Sequence, residues 1–435
     1  MTRPTGSPAD DIGLGDIASA LTAALSRLVP DGPVGVAVSG GGDSMALLAG
    51  TIAAIGPGRV HAATVDHGIR SESAAEARWV AQHCADRGVS HCILTIDAPG
   101  SGNLSAMLRE RRYRSLAAWA QAKGLPDILL GHTLDDQAET VLMRLSRGSG
   151  VDGLSAMAKT VERDGIRWLR PMLGLRRDDL RAYLRAEGIQ WIDDPTNDDL
   201  AFDRIKARKA LAALAPLGID AAGLAATATR LSRSRIVLQS AAKALAGEAA
   251  RHGWAGDVIL DPRRLASAAP ETQERLLATL VCELTDAAYP PRHRAVAGAL
   301  QAALGPQPRA ATLAGCILIP WRGRLHLCRE PAAAPPPIPW PGASAIWDRR
   351  WSVEAAPRGA ATIAALTEAG LASLPNAAPP PGAPRVAWAG VPSVRATDGS
   401  VLAAAIPTLP DKHHLRAIRI HPPGGILSSL AIDTP

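Results

Sequence analysis

A chain of 435 residues is too long for one ordinary domain and predicts two or three. Its apolar share of 47% is ample for packed cores, although Phe occurs once and the 10 Trp supply much of the aromatic bulk. Lys and Arg outnumber Asp and Glu by 47 to 41, a net charge of +6 that points gently toward a polyanionic partner such as nucleic acid, while five scattered cysteines without a Cys-x-x-Cys pair indicate neither a disulfide framework nor a zinc site.

Asp10 and Asp11 precede a helical stretch from Ile17 to Leu28, with no basic leader or long apolar run before it. This reads as neither a signal peptide nor a membrane span, and the expected location is the cytoplasm, in keeping with unpaired cysteines. Next come Val34, Val36, Ala37 and Val38, a short apolar strand, then Ser39-Gly40-Gly41-Gly42-Asp43-Ser44, then a helix restarting at Met45. Three glycines let backbone N–H groups approach an anion while the new helix directs its positive end at the same point. The loop has neither the Gly-Lys-Ser/Thr ending of a Walker A loop nor the Gly-x-Gly-x-x-Gly spacing. Asp43 among phosphate-seeking N–H groups would repel the ligand unless a cation lay between them, which points to Mg²⁺. Taken alone, the loop reads equally well as an ordinary turn whose Asp or Ser caps the helix.

Val60–Val65 predicts a second strand, residues 72–87 a helix, His91–Ile96 a third strand, 104–123 a helix and Asp127–Gly131 a fourth strand. Alternation at these lengths implies βαβ units, and hence a parallel doubly wound sheet covered on both faces. Ligands of such sheets bind beyond the carboxyl ends of the strands, where this chain places Ser39, Asp66-His67, Asp97 and His132. At the last of these ends, His132-Thr-Leu-Asp-Asp-Gln-Ala-Glu-Thr140 runs into a helix. Asp135, Asp136 and Glu139 lie three and four apart and share its first face. The helix dipole explains one or two acids there; three are better explained by a metal or a cationic substrate.

Basic residues concentrate at Arg109, Arg111, Arg112 and Arg114, at Arg144 and Arg147, and at Arg204, Lys206, Arg208 and Lys209. Arg111 and Arg114 read as a solvated helix face; the others flank the acids, where a polynucleotide's phosphates would pass. Tyr113 reads as core rather than a base-stacking platform. His67 and His132 are either general bases or hydrogen-bonded strand-end histidines, with His132 favoured for function.

Ser39-Gly-Gly-Gly-Asp-Ser44 resembles the SGGxDS loop of the PP-loop ATP pyrophosphatases, and the segment 132–140 resembles the HxxDDQxET signature of the tRNA(Ile)-lysidine synthetases at all six fixed positions. Further matches to that family are Val65–Arg70, Arg109–Tyr113, Arg147–Gly150, Arg170-Pro171 and Asp193–Asn197 leading to Arg204 and Arg208, so the resemblance covers about residues 30 to 210. It departs at Ile205, where the family has Asn. The resemblance implies ATP-dependent attachment of L-lysine to C2 of the wobble cytidine in the CAU anticodon of isoleucine tRNA, through an adenylated intermediate. It implies that Ser39 to Ser44 hold the triphosphate, that Asp43 and Asp136 carry Mg²⁺, and that Glu139, with Asp135, holds or deprotonates the lysine ammonium. Arg109, Arg112, Arg204 and Arg208 would position the anticodon stem-loop. The alternatives are a PP-loop tRNA thiolase, which would need catalytic cysteines that Cys84 and Cys92 do not supply, an amidotransferase domain, which would need a source of ammonia, and a non-catalytic nucleotide-binding regulator, which would not need the acids at 135–139.

Beyond the resemblance the composition changes. Residues 1–212 are expected to form the ATP-binding domain and 213–330 an Ala- and Leu-rich helical tRNA-binding domain, closed by a hairpin of Ala311–Ile319 and Arg324–Arg329. Residues 331–435 are expected to be a proline-rich linker and a small mixed α+β accessory domain, with short strands at Trp347–Val353, Arg385–Trp388 and Ser400–Ala405.

Overall fold

The structure is a computed structural model that describes residues 14–29, 31–68, 72–96, 104–193, 203–287, 289–354, 356–374, 382–407, 415–419, 425–426 and 430. Asp10, Asp11, Arg70, Asp97 and Asp194–Asn197, all named above, lie outside the described residues. The chain divides into two compact units, Met1–Arg235 and Ile236–Pro435.

In the first unit the elements run α1 (Leu14–Leu28), β1 (Val34–Ala37), α2 (Gly42–Ile55), β2 (Val60–Asp66), α3 (Ser73–Ala85), β3 (Ser90–Thr95), α4 (Leu104–Ala122), β4 (Asp127–Leu129), α5 (Leu134–Leu145), α6 (Val151–Leu154), β5 (Thr160–Arg163), β6 (Ile166–Leu169), α7 (Arg177–Ala186), α8 (Asp203–Leu214) and the start of α9 (Ala221–Ala249). The sheet order is β3-β2-β1-β4-β6-β5. Every neighbouring pair is parallel except β5 with β6, a hairpin closed by Asp164 and Gly165 at φ 54° and 71°. The parallel doubly wound sheet expected from the alternation is therefore present, with an added antiparallel edge. Thr160–Arg163 is too charged to read as a buried strand, and an edge position is where a charged strand belongs.

Alternation along β1 distributes the core between two faces. Val34, Val36 and Val38 pack with α1, α2 and α7, whereas Ala37 joins Tyr113, Trp119 and Trp168 on the side covered by α4. The chain leaves β1 for β2 on one side and later returns to β4 on the other. The strand order thus reverses at β1, and the crevice beyond β1 and β4 is where such sheets bind ligands.

Two close approaches shape that crevice. A Cβ on Gly131, just after β4, would stand 3.2 Å from the backbone of Asp43 and Ser44, so glycine lets the two loops touch without either giving way. Gly40, at φ +88°, gives its carbonyl to Ile192 N–H at 2.9 Å, and a Cβ there would meet Ile192 Cδ1 at 2.9 Å.

The second unit holds the rest of α9 and then β7 (Ala250–His252), β8 (Val258–Leu260), α10 (Pro262–Ser267), α11 (Pro270–Thr285), α12 (His293–Leu304), β9 (Ala311–Leu313), β10 (Cys316–Trp321) and β11 (Arg324–Arg329). Their core joins α9–α12 to a sheet ordered β7-β8-β11-β10-β9. Ala311–Ile319 is not one strand, because Ala314 and Gly315 at φ 49° and 79° fold it into β9 and β10. The remaining elements are β12 (Ile338–Pro339), β13 (Ala345–Trp347), β14 (Trp351–Val353), β15 (Thr362–Ala365), α13 (Thr367–Ser373), α14 (Arg385–Ala389), β16 (Pro392–Arg395), β17 (Val401–Ala404) and β18 (Ala417–Arg419), around a core containing Trp347, Trp351 and Trp388. The stretch Trp347–Val353 is likewise a hairpin, turning at Asp348 and Arg349 with φ 49° and 51°. Arg385–Trp388 is helical: Pro384 precedes its first turn, and so short an apolar run carries no period to tell helix from strand. The 212/213 boundary expected from composition falls within α8, and the division between units within α9.

Gly131→Ala is expected to lower stability by about 1–3 kcal/mol, because backbone rather than a movable side chain must yield. Gly42→Ala, inside the first turn of α2 where an added Cβ meets nothing nearer than 3.5 Å, should unfold like the wild type. Thermal denaturation of the two variants checks this, and equal losses would contradict it.

Candidate functional site

The loop Ser39–Ser44 is braced by its serines. Ser44 Oγ donates to Gly41 O at 2.8 Å and accepts from Ser39 N–H at 3.1 Å. Gly41 is the N-cap of α2 and makes no side-chain cap, so the reading of this loop as a capped turn does not describe it. Beside it, Ser39, Val38, Ala63, His67, Arg112 and Leu116 line a cavity of about 30 Å³. Asp43 lies in the first turn of α2, where burial raises its carboxyl above the usual range, Arg177 offsetting part of this and Asp136 and Asp135 adding to it.

Across the crevice, α5 begins at a complete capping box. Thr133 Oγ1 accepts from Asp136 N–H, and Asp136 Oδ2 accepts from Thr133 N–H at 2.8 Å. One Asp136 oxygen thus serves the helix, as the dipole argument allows. The other, Oδ1, faces Arg177 at 3.4 Å and Arg204 at 3.8 Å. Burial alone would raise this carboxyl, but the Thr133 N–H, Arg204 and Arg177 hold it below the usual range. Glu139, 1% exposed, takes Arg208 Nε at 2.9 Å and Arg177 at 3.5 Å on Oε1. Asp135 turns elsewhere, accepting the backbone N–H of Arg177 at 2.7 Å and so fixing the start of α7.

The residue that joins these groups is Arg177. Its Nε lies 3.0 Å from Asp43 Oδ2, and its remaining nitrogens reach Asp136 and Glu139, bonds that together outweigh the cost of burial and raise its pKa. The sequence reading passed from Arg170-Pro171 to Asp193 and missed it. Arg176-Arg177-Asp178-Asp179 looks like any amphipathic helix start, and its contact to Asp43 spans 134 residues. Trp191 and Ile192, which pack on Gly42 and Gly40, were missed for the same reason.

The basic residues divide by geometry. Arg204 and Arg208 turn toward the acids, and Arg112 reaches the loop cavity, where burial lowers its pKa, opposed by Tyr113 and reinforced by Arg109 and Arg204. Arg109 is exposed, with its guanidinium 5.2 Å above the Tyr113 ring. Tyr113 is itself buried against Trp168 at 4.6 Å. Arg114 pairs with Glu110 on the surface, Arg147 with Asp203, and Arg144 bonds the carbonyls of Gly153 and Ala156, so these three stand apart from the crevice. Cys84 is buried in α3 and Cys92 lies within β3, away from the strand ends.

Asp43 Oδ1 and Glu139 Oε2 are buried without a hydrogen-bond partner among the described residues. The unspent oxygen of Asp43 fits a Mg²⁺ that takes its other ligands from Asp136, substrate phosphates and water. Among the described residues no three His, Cys, Asp or Glu side chains are grouped so as to hold a metal ion between them.

The sequence pattern of the PP-loop domain family matches residues 16–215. The chain is 43% identical to the tRNA(Ile)-lysidine synthase of Ruegeria pomeroyi over 84% of its own length and 86% of that protein. It is 38% identical to the tRNA(Ile)-lysidine synthase of Hyphomonas neptunium, over 77% and 91%, and 34% identical to that of Rhizobium meliloti, over 85% and 83%. Among solved structures, the U34-tRNA thiolase NcsA from Methanococcus maripaludis with its [4Fe-4S] cluster overlaps at a TM-score of 0.43 and 16% identity, over 51% of this chain and 78% of that one. No single helix among the described residues is long and apolar enough to cross a membrane.

Burial pushes the His132 imidazole down to about 3, with Asp136 opposing and Arg170, Arg204 and Arg109 reinforcing the shift. The ring is therefore neutral near pH 7. A depressed folded pKa means that the unfolded chain takes up the proton first. The His132 contribution to stability is complete above about pH 6.5 and is lost as the pH falls. Urea unfolding between pH 7 and 4 should show wild-type stability falling more steeply than that of His132→Gln; parallel curves would contradict the assignment.

Proposed function

This chain belongs to the tRNA(Ile)-lysidine synthase family, and from that premise we propose how its residues divide the reaction. The protein is an ATP-using ligase that forms the carbon–nitrogen bond of lysidine on tRNA(Ile). The observation that carries the reading of the site is the contact of Arg177 with Asp43, Asp136 and Glu139 at once, since it brings the phosphate loop and the acids of α5 within one side chain's reach.

A cytosine carbonyl oxygen is a poor leaving group. In the proposed first step O2 of the wobble cytidine in the CAU anticodon attacks the α-phosphorus of ATP, pyrophosphate departs, and the base becomes an O-adenylate. In the second, the ε-amine of free L-lysine adds at C2, loses its proton, and AMP leaves. Ser39–Ser44 and the N-terminus of α2 hold the triphosphate through backbone N–H groups. A Mg²⁺ held by Asp43 and Asp136 would supply charge neutralisation for the departing pyrophosphate. Glu139 holds the lysine ammonium and takes its proton, a role supported by its buried free oxygen. Asp135, given as a second lysine acid by the resemblance, acts instead by holding α7 in place. His132, neutral and half-buried beside Asp136, serves as a hydrogen-bonding partner for the splayed cytidine. Arg109, Arg112, Arg204 and Arg208 ring the crevice and meet the phosphates of the anticodon stem-loop, in the cytoplasm where tRNA is modified.

The sulfur-transfer alternative finds no support in the positions of Cys84 and Cys92, and the acid cluster has no use in a passive nucleotide sensor. Incubation with bulk bacterial tRNA, ATP and labelled lysine, followed by nucleoside analysis, should yield label in one modified cytidine; label in no nucleoside would refute the proposed reaction.

The half-reactions separate the acids. Asp43→Asn or Asp136→Asn should slow tRNA-dependent, lysine-independent release of pyrophosphate by about 10²–10³-fold. Glu139→Gln should leave that step in place and raise the lysine requirement about tenfold or more, the loss of one hydrogen bond to a charged group. An unchanged lysine dependence would return Glu139 to a purely structural role.

A further inference from the structure

The carboxylates of Asp43 and Asp136 come from different segments, and each would need its own cation to remain charged in a buried crevice. Arg177 supplies one to both. Its guanidinium donates from Nε to Asp43 Oδ2 at 3.0 Å and from a terminal nitrogen to Asp136 Oδ1 at 3.4 Å, and its other terminal nitrogen lies 3.5 Å from Glu139 Oε1. The side chain is 17% exposed, so it is set into the crevice rather than laid across its mouth. Its backbone is held by Asp135 at 2.7 Å, which leaves the side chain as the part able to move.

A divalent ion bridging Asp43 and Asp136 must sit within about 2.1 Å of a carboxylate oxygen on each. Asp136 Oδ2 is spent on the capping box, so the ion must take Oδ1, the oxygen that the guanidinium already holds. We propose that Arg177 is a built-in stand-in for the reaction's cation: its ion pairs with Asp43 and Asp136 and the binding of Mg²⁺ between those acids exclude each other. This rests on the reading of Asp43 and Asp136 as the metal carboxylates.

The consequence is coupling between metal and nucleotide. Mg²⁺ alone must turn a buried guanidinium away from three acids and gives it nothing in return. Mg²⁺ arriving with a triphosphate brings anionic oxygens to a guanidinium still anchored at its backbone, so the arginine exchanges carboxylates for phosphate oxygens. The metal is then held firmly only when nucleotide is present, and by linkage the nucleotide is held firmly only with its metal.

The probe is Mn²⁺, counted by electron paramagnetic resonance with the full-length protein, alone and with a non-hydrolysable ATP analogue. Wild type should bind Mn²⁺ weakly alone and tightly with the analogue. Arg177→Met should bind Mn²⁺ alone about 5- to 150-fold tighter than wild type, the usual range for coupling between sites, and should gain much less from the analogue. Arg177→Lys, a point charge able to satisfy fewer carboxylates, should fall between them. Equal Mn²⁺ affinity of wild type and Arg177→Met without nucleotide, with tight binding in its presence, would overturn the exclusion while leaving the metal assignment intact. Absence of Mn²⁺ binding in every protein, with and without the analogue, would overturn both. A measurement on the wild type does not depend on the variants folding. The Arg177 Nε–H resonance of ¹⁵N-arginine protein, slowed in exchange by Asp43, should move and exchange faster when Mg²⁺ and the analogue are added together. The same protected signal with both bound would sink the proposal.

Discussion

Four carboxylates gathered at one edge of a sheet repel one another, and burial sharpens the repulsion. Asp43, Asp135, Asp136 and Glu139 remain together because each meets a donor from elsewhere in the chain: the guanidinium of Arg177, its backbone N–H, Arg204 and Arg208. This constraint reaches well beyond the site. It fixes where α7 begins, gives α8 a reason to turn its arginines inward, and links α2 to α5 although the two helices come from opposite sides of the strand-order reversal. The shared cations do what a hydrophobic contact cannot do at a wet strand edge.

The same economy appears within single residues. Asp136 uses one oxygen to close the capping box of its own helix and presents the other to the crevice. An aspartate free to rotate would lose that aim, so the cap is also what orients the oxygen that faces the crevice. Asp135 shows the opposite outcome. Adjacent in sequence and equally acidic, it is spent on the backbone of α7, because successive helix positions point about 100° apart.

Much of this was legible in the sequence. Alternating apolar runs predicted the parallel sheet, and the two spaced motifs located the crevice, since both the loop at 39–44 and the acids at 135–139 stand directly after strands. What was not legible is long-range or very short. Arg177 is one arginine in a charged helix start, and nothing local marks it as the partner of a residue 134 positions earlier. The hairpin turn at Asp348-Arg349 rests on two non-glycine residues with positive φ and that at Ala314-Gly315 on one, which the sequence signals for turns under-report. The Arg385–Ala389 helix has too few residues to show a period.

The start of α2 has a further consequence. A helix normally gains about 0.5–2 kcal/mol from a Ser, Thr, Asp or Asn side chain at its N-cap. Here the position is Gly41, with no such bond, and Ser44 reaches back to the Gly41 carbonyl instead of to the N–H groups. Those N–H groups stay available to an anion from outside the chain. A side-chain cap at position 41 would make the helix start more robust and would occupy N–H groups that the proposed phosphate site uses. Stability engineering guided by helix capping alone would improve the fold here by closing an open anion site.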